Sequence, residues 1–341
     1  MANLPKIGMR LHGGLSAKHC IEMAQVADIN GFASLWFAEN PFNRGVLPAV
    51  TGAVLATKNI TVGVGCFNPY NRHPTLIAME MGALDELAEG RTALGIGSGI
   101  ADRIGRMGLS YAKPLSAVRD AITVVRGMMH GDSVTHEGAV FPVKNAKLEF
   151  AAPRPDYPIY MAAMGEKAVT LSGEIADGLM ISNMCPPGYT VGAVERMRAG
   201  AAAVGRAAPA TVVQYVQCAV AKDRAAARNA VKLSMGKMLA EYWALGERSQ
   251  VYRDSMFSQS GIPDHDFIAA VNRLKAGDNP VDVLDDRFVD AYSISGNIDD
   301  YLAGVARFAQ AGVTELVVTF VGHNPVDDIQ YLGDVLKGQK R

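Results

Sequence analysis

Cysteine is scarce in this chain, and the few cysteines lie far apart. The 341 residues include Cys20, Cys66, Cys185 and Cys218 and no other cysteine. These separations match neither the short ligand spacing of a zinc site nor the density of a disulfide framework. Histidines and carboxylates show no convincing ligand spacing, so the sequence predicts no metal site. Cysteine use of this kind favours a reducing compartment, and we expect the protein in the cytoplasm.

Long apolar runs and clusters of one charge are also missing. No apolar stretch reaches the roughly 18 residues of a membrane span without a polar interruption. The N-terminal segment MANLPKIGMRLHGG lacks the basic start and apolar centre of a signal peptide. The formal net charge is -1, so the chain has no surplus of Lys and Arg for binding phosphates. We therefore expect a small-molecule substrate and neither a membrane nor a nucleic-acid partner.

What the sequence does contain is an alternation of short apolar runs with longer helical patterns. Continuously apolar strands that alternate with helices indicate a parallel sheet covered on both faces. Eight such units favour a closed (β/α)8 barrel, the TIM barrel, over an open sheet. The predicted strands span residues 6–11, 34–39, 60–65, 91–97, 159–164, 178–182, 211–221 and 315–321.

The alternation is interrupted twice, and both interruptions predict insertions into one domain of residues 1–341. Residues 134–158 contain turn residues and no helical period, which predicts a hairpin before strand five. Residues 223–290 are charged and helical, which predicts a large helical insertion after strand seven. This insertion either covers the active site or packs on the barrel.

Three ionisable residues near predicted strand ends are candidates for acid–base catalysis: His12, Glu39 and His73. The loops after the strands form the catalytic face of a TIM barrel, so these residues converge if the barrel closes. For His73, capping of the next helix is an equally good interpretation. Cys66 is either a nucleophile or a small buried thiol, and the second reading is favoured because no base lies at a known offset.

Glycines after strand four suggest a phosphate contact. Gly97, Ser98 and Gly99 would expose backbone N–H groups and a hydroxyl, with no Cβ at either glycine to block an anion. The alternative is a tight turn. The GIGSGI segment is not a dinucleotide fingerprint, because it lacks the G-x-G-x-x-G spacing and follows the fourth strand.

A second anion contact is suggested after strand five. The amides of Gly165, Glu166 and Lys167 would face outward at the N-terminus of a helix. An ordinary helix start explains the same residues.

Two segments resemble a known family. VGVGCFNPYNRHP (residues 62–74) and LDELAEGRTALGIGSG (residues 84–99) are similar to the bacterial luciferase-like family of flavin and deazaflavin oxidoreductases. Within that family the resemblance is strongest to the F420-dependent methylenetetrahydromethanopterin reductase branch. It covers about residues 4–220 together with the last strand and helix, and residues 223–290 match poorly.

The resemblance implies a TIM barrel whose catalytic face holds the ring of coenzyme F420. It implies a cis peptide at Gly65–Cys66, or one junction earlier, that forms a support behind the ring. It further implies cofactor contacts from the segment after strand three, from the two glycine-rich segments described above, and from the end of strand six. The implied cofactor-binding residues are Gly65, Cys66, Asn68, Arg72, Gly97, Ser98, Gly99, Gly165, Glu166, Lys167, Ser182, Asn183 and Met184.

One pair departs from the family pattern. Many deazaflavin enzymes of the family carry Asp-His after strand two, where this chain has Glu39 and Asn40. Either Glu39 or His12 supplies proton transfer in place of the missing imidazole, or the reaction needs none. A substrate that accepts hydride without prior protonation of carbon, such as a methylene-bridged tetrahydropterin or another C–N compound, satisfies the second alternative. We therefore expect an oxidoreductase that moves hydride between coenzyme F420 and such a substrate.

Two other functions stay open from the sequence. An FMN-dependent luciferase-like monooxygenase would need similar ring and phosphate contacts, but no basic residues for the acidic tail of F420. A cofactor-free binding barrel would keep the fold and lose turnover. Because the family commonly dimerises through the helices beside strands two to four, a homodimer or higher homo-oligomer is expected, with Met79, Met81 and Leu84 as exposed apolar positions.

Overall fold

A computed structural model describes residues 4–151, 154–322 and 324–338. The strands are β1 (Lys6–His12), β2 (Ser34–Ala38), β3 (Thr61–Phe67), β4 (Thr92–Gly97), β5 (Val134–His136), β6 (Val143–Ala146), β7 (Ile159–Ala162), β8 (Gly178–Ile181), β9 (Thr211–Val220), β10 (Ser293–Gly296) and β11 (Glu315–Phe320). The helices are α1 (Ala17–Ile29), α2 (Val46–Ala56), α3 (Pro74–Leu87), α4 (Ala101–Arg106), α5 (Pro114–His130), α6 (Glu166–Ile175), α7 (Pro187–Ala203), α8 (Arg224–Arg248), α9 (Gln250–Met256), α10 (Asp264–Lys275), α11 (Pro280–Val283), α12 (Asp286–Tyr292), α13 (Ile298–Gln310) and α14 (Pro325–Gly338).

Eight parallel strands close into a barrel in the order β1-β2-β3-β4-β7-β8-β9-β11. Closure occurs because β9 pairs with β8 along one edge and with β11 along the other, while β11 pairs with β1. Helices lie between successive strands of the barrel, so the (β/α)8 fold predicted from the alternation is confirmed. The carboxyl ends of all eight strands therefore meet at one face.

Both predicted interruptions are confirmed. β5 and β6 form an antiparallel hairpin between α5 and β7. Helices α8 to α12 occupy the chain between β9 and β10.

Three local features differ from the sequence-based prediction. β3 does not end at Gly65 but continues through Cys66 to Phe67, and its pairing with β4 shifts between Val64 and Phe67. β10 was missed because its sequence, Ser-Ile-Ser-Gly, lacks the apolar run that marked the other strands, although it pairs with the last four residues of β9. The short helix α4 was not predicted, since its six residues directly follow a run of Gly and Ser.

The inside of the barrel is filled around Trp36. Its indole Nε1 donates to Oε1 of the buried Glu315 at 2.6 Å, and the Ser34 hydroxyl donates to the same oxygen at 2.5 Å. Gly63 on the neighbouring strand makes room for the ring, since a Cβ there would lie 2.5 Å from it. These contacts connect β11 to β2 across β1 and fix the lower part of the barrel interior.

The LDELAEGRT segment has a structural role at the start of β4. The carboxylate of Asp85, fully buried, accepts from the Thr92 backbone N–H at 3.0 Å and from its hydroxyl at 2.6 Å. Arg154 adds an ion pair from Nε at 3.0 Å. The Arg91 guanidinium donates to the Ile60, Val54 and Thr57 carbonyls. The segment thus fixes β4 against both β3 and α2.

The predicted exposure of apolar residues on α3 is partly wrong. Met81 and Leu84 are buried against the barrel, whereas Met79 is 46% exposed. Leu76 and Leu87 are also exposed on this helix. Association through this face stays a prediction. Within the described ranges, no helix is both long and apolar enough to cross a membrane.

Replacing Asp85 should unfold the protein more readily than replacing its neighbour. Asp85→Ala removes the acceptor for Thr92 and leaves Arg154 unpaired, so we expect a loss of roughly 3–5 kcal/mol in the free energy of unfolding. Urea titration followed by circular dichroism measures it. Glu86→Ala, one residue along on the exposed face of the same helix, should cost under about 0.5 kcal/mol. Equal losses in the two variants would contradict this account.

Candidate active site

One large cavity opens at the carboxyl ends of the barrel strands. Its volume is about 1260 Å³, above the roughly 300–1,000 Å³ that is usual for a single small ligand. Its lining comes from the ends of the barrel strands, from the N-terminal turns of α4 and α6, and from α8 and α9. The cavity therefore has room for a cofactor and a substrate side by side.

Most of the residues predicted for the site lie in this cavity. They come from five separate strand ends, which the closed barrel brings together. The predicted residues in the lining are Glu39, Gly65, Cys66, Asn68, Gly97, Ser98, Gly99, Gly165, Glu166, Lys167, Ser182 and Asn183.

The structure does not bring the other four predicted residues to the cavity. His12 lines a separate small cavity of about 20 Å³, and burial, followed by the charge of Arg10, lowers its pKa. His73 caps α3, where its Nδ1 accepts from the Thr75 N–H at 3.3 Å, and its ring packs edge-on against Phe141. Met184 is buried with a φ of 63°. Arg72, the fourth, sits behind Glu39.

Glu39 is held by Arg72 with one carboxylate oxygen left free. Its Oε1 accepts from Nη2 of Arg72 at 3.1 Å, and the other side of the guanidinium pairs with Glu80. The Arg72 guanidinium also stacks over the Phe67 ring at 4.5 Å. The Glu39 side chain is 10% exposed, and its Oε2 is buried without a hydrogen bond to any described residue. The site thus contains an oriented carboxylate with an acceptor available to a ligand.

The peptide bond between Gly65 and Cys66 is cis, as the family resemblance implied. The Tyr215 hydroxyl donates to the Gly65 carbonyl at 3.0 Å and holds this part of β3 from across the barrel. Burial raises the pKa of the Cys66 thiol to about 12; the Glu39 charge adds to this effect and the Arg10 charge opposes it. The thiol stays protonated near neutral pH, so Cys66 is poorly suited to act as a nucleophile.

The N-terminus of α6 opens onto the cavity without a side-chain cap. Gly165 is the N-cap residue and makes no side-chain hydrogen bond to the first turn, so backbone N–H groups there stay available. Lys167 lies in that turn and forms no ion pair with any described residue. The free N–H groups and the Lys167 cation suit an anionic group. Gly99, also in the lining, has a φ of 74°, and a Cβ there would lie 2.9 Å from Ile104, which fits the alternative of a tight turn.

Sequence reasoning missed several residues that line the cavity. Arg10 and Tyr215 lie within strands and not after them, so reading only the residues past each strand end passed over them. A charged residue inside an otherwise apolar strand was the available signal for Arg10. Arg196 from α7 also lines the cavity and pairs with Glu166. The described residues contain no group of three or more His, Cys, Asp or Glu side chains arranged to hold a metal ion.

The helical insertion forms one wall of the cavity and also packs on itself. Tyr242 and Leu245 of α8 and Val251 and Tyr252 of α9 face the cavity. Behind this wall, aromatic rings stack in a compact cluster, with the Trp243 and Phe267 centroids 5.2 Å apart. The insertion is therefore both a wall of the site and a packed unit.

Comparison with known proteins places the chain in a family. A sequence profile described as luciferase-like monooxygenase matches residues 2–315. The chain belongs to this family. The resemblance found in the sequence is thereby confirmed.

Individual relatives add detail. The 5,10-methylenetetrahydromethanopterin reductase of Methanolobus tindarius is 31% identical over 320 residues, which cover 92% of this chain and 94% of that protein. The solved structure of a coenzyme F420-dependent tetrahydromethanopterin reductase from Methanopyrus kandleri superposes with a TM-score of 0.85 at 23% identity, over 99% of this chain and 100% of that one. The oxygenating constituent of 3,6-diketocamphane monooxygenase from Pseudomonas putida, in complex with FMN, gives a TM-score of 0.72 at 19% identity, over 98% and 96%. The two structures show a shared fold.

The protonated state of Cys66 should appear as low reactivity. With a pKa of about 12 in place of 9.0, the thiolate fraction at pH 8 is about a thousandfold lower than for an unperturbed thiol. We expect iodoacetamide at pH 8 to leave the Cys66 peptide unmodified in the folded protein and to modify it in urea, as measured by mass spectrometry. Rapid modification of Cys66 in the folded protein would instead mark an activated thiol.

Proposed function

We propose that this protein is an oxidoreductase that transfers hydride between coenzyme F420 and a C–N compound of the methylene-tetrahydropterin type. The observation that carries the proposal is one cavity that joins the Gly65–Cys66 segment to the uncapped N-terminus of α6. The names of its relatives support the proposal, since proteins 31% and 32% identical to this chain are called 5,10-methylenetetrahydromethanopterin reductases and a protein 24% identical is called an F420-dependent glucose-6-phosphate dehydrogenase.

The residues of the cavity fit F420 along its length. Gly65, Cys66 and Tyr215 form a surface against which a planar ring can lie, with Ser182 and Asn183 beside it. The phosphate suits the free N–H groups at the start of α6. The acidic tail would run past the cationic side chains at the cavity wall, Lys167, Arg103 and Arg196.

In this proposal the protein positions the cofactor and the substrate and stabilises the charge of the substrate. When bound, reduced F420 would supply a hydride, and reduction of an iminium substrate would require no proton from the protein. The free Oε2 of Glu39 would stabilise the positive nitrogen of such a substrate, and Arg72 would keep this carboxylate in place. Arg72 therefore acts as a positioning residue in this proposal.

The absence of an imidazole from the lining supports this type of substrate. No histidine among the described residues lines the cavity, since His12 and His73 lie elsewhere. Reduction of a ketone would call for a proton donor near neutral pH. An iminium substrate places no such demand on the protein.

An FMN-dependent monooxygenase is the second candidate. FMN shares the ring shape and the phosphate of F420, so Gly65, Cys66 and the start of α6 would serve either cofactor. The two differ in the acidic tail, and this difference makes them separable by experiment.

Titration with each cofactor tests the choice between F420 and FMN directly. We expect F420 to bind the purified protein tightly, with quenching of its fluorescence, and FMN to bind at least about tenfold more weakly. Lys167→Glu should weaken F420 by about tenfold or more and FMN by much less, because F420 brings both a phosphate and an acidic tail near the reversed charge, whereas FMN brings a phosphate alone. Lys144→Glu on the exposed face of the β5–β6 hairpin changes the net charge equally and should leave both affinities unchanged.

Each other outcome has a definite meaning. Equal losses for both cofactors in Lys167→Glu would remove the assignment of Lys167 to the tail. Tight binding of FMN alone would transfer the proposal to the monooxygenase. Binding of neither cofactor would leave a cofactor-free binding barrel.

Glu39→Gln should lower turnover without disturbing the cofactor. The amide keeps the shape and loses the charge that binds the cationic substrate, so we expect kcat/KM to fall by roughly 10–100-fold. F420 affinity should stay within about threefold, because cofactor contacts lie elsewhere. Stopped-flow oxidation of bound reduced F420 by the substrate measures the step, and an unchanged rate would show that Glu39 has no part in it.

A further inference from the structure

Arg10 is a half-buried cation in the floor of the cavity with no anionic partner. It lies on β1, two residues after Gly8, whose Cβ position points at Ser34 and Val317 inside the barrel. Its Nε is buried and unbonded, and its side chain forms no hydrogen bond or ion pair with any described residue. The guanidinium carbon lies 5.4 Å from the centroid of the Tyr215 ring.

Other arginines with little exposure in this protein are paired. Arg228, 5% exposed, donates to Asp286 at 3.2 Å and to Asp290 at 3.0 Å. Arg154 pairs with Asp85, and Arg91 donates to three carbonyls. An unpaired guanidinium away from water is costly, because it loses hydration without a replacement. Arg10 differs from these arginines because it has no such partner among the described residues, and its N–H donors are available to a ligand in the cavity.

The protein's own carboxylates do not serve Arg10. Glu315 accepts from Ser34 and Trp36 at the base of the barrel. Glu39 is anchored through Oε1 by Arg72. The charge of Arg10 does act on the neighbouring Cys66, where it opposes the rise in the pKa of the thiol. Arg10 and the free oxygen of Glu39 thus offer opposite charges to one ligand.

We propose that Arg10 binds a carboxylate of the substrate within the cavity. The proposal rests on the function proposed above and narrows its substrate class to C–N compounds that carry a carboxylate. A guanidinium presents parallel N–H donors that match the two oxygens of a carboxylate. Glu39 then faces the nitrogen while Arg10 holds the acid group, so the two side chains fix the orientation of the substrate. A cationic substrate without an acid group would be repelled by Arg10.

Binding of matched carboxylates and amides tests this assignment. The probes are benzoate with benzamide, picolinate with picolinamide, and pyrrole-2-carboxylate with its carboxamide, titrated by calorimetry into the protein with and without F420. We expect at least one carboxylate to bind about tenfold more tightly than its amide. In Arg10→Met this preference should fall below about threefold, and Arg10→Lys should retain part of it. Arg119→Met, which removes an exposed cation, is the control for net charge.

Stability separates a ligand-binding arginine from a structural one. Because Arg10 makes no internal hydrogen bond, Arg10→Met should leave the thermal midpoint unchanged or raise it. A structural arginine would lower it. Arg10→Gln provides a second uncharged variant if the methionine protein does not fold.

The outcomes distinguish this proposal from the one on which it rests. If no pair shows a preference for the carboxylate, or if the preference survives in both Arg10→Met and Arg10→Gln, the role of Arg10 is wrong even where F420 binds tightly. If F420 fails to bind while an Arg10-dependent preference is measured, the cofactor proposal fails and the carboxylate site stands.

Discussion

Closure of the barrel at β9 is the constraint on which the site depends. β9 pairs with β8 and with β11, and this double pairing joins the two ends of an otherwise open sheet. Only then do Arg10 of β1, Glu39 after β2, Gly65 of β3 and Tyr215 of β9 face one cavity. The hydrogen bond from Tyr215 to the Gly65 carbonyl spans 150 positions in sequence and exists only in the closed form. A site assembled this way is sensitive to the register of every strand, because a slip by one residue turns side chains to the opposite face.

Charge is divided within the cavity in a way that matches the proposed chemistry. The start of α6, with its uncapped N–H groups and Lys167, favours an anion at one side. The floor carries one fixed cation, Arg10, and one carboxylate oxygen of Glu39 with no hydrogen-bond partner among the described residues. A thiol that stays protonated and a lining without a described histidine leave little acid–base chemistry near neutral pH. The site is therefore built to hold charged groups in place more than to move protons.

Much of the fold follows from local patterns, whereas the site needs the closed barrel. The eight strands and both insertions were predicted because apolar runs and helical periods are visible in short windows. The resemblance located the cis peptide at Gly65–Cys66 and most of the cavity lining. His73 lies outside the cavity because a residue past a strand end can turn toward the next helix, and it caps α3, the alternative that the sequence also offered. Arg10 and Tyr215 were missed because the inward direction of a strand residue is fixed by register and closure, which a single sequence does not reveal. β10 was missed because its sequence, Ser-Ile-Ser-Gly, contains no apolar run.

The most direct test of this account is a crystal structure of the protein with F420 bound. The account predicts that the deazaflavin ring lies against Gly65 and Cys66, with the phosphate at the Gly165–Lys167 turn and the free oxygen of Glu39 facing the open side of the ring. Arg10 should then lie beside the space left for the substrate. A ring bound away from β3, or a phosphate that makes no contact with the start of α6, would contradict it.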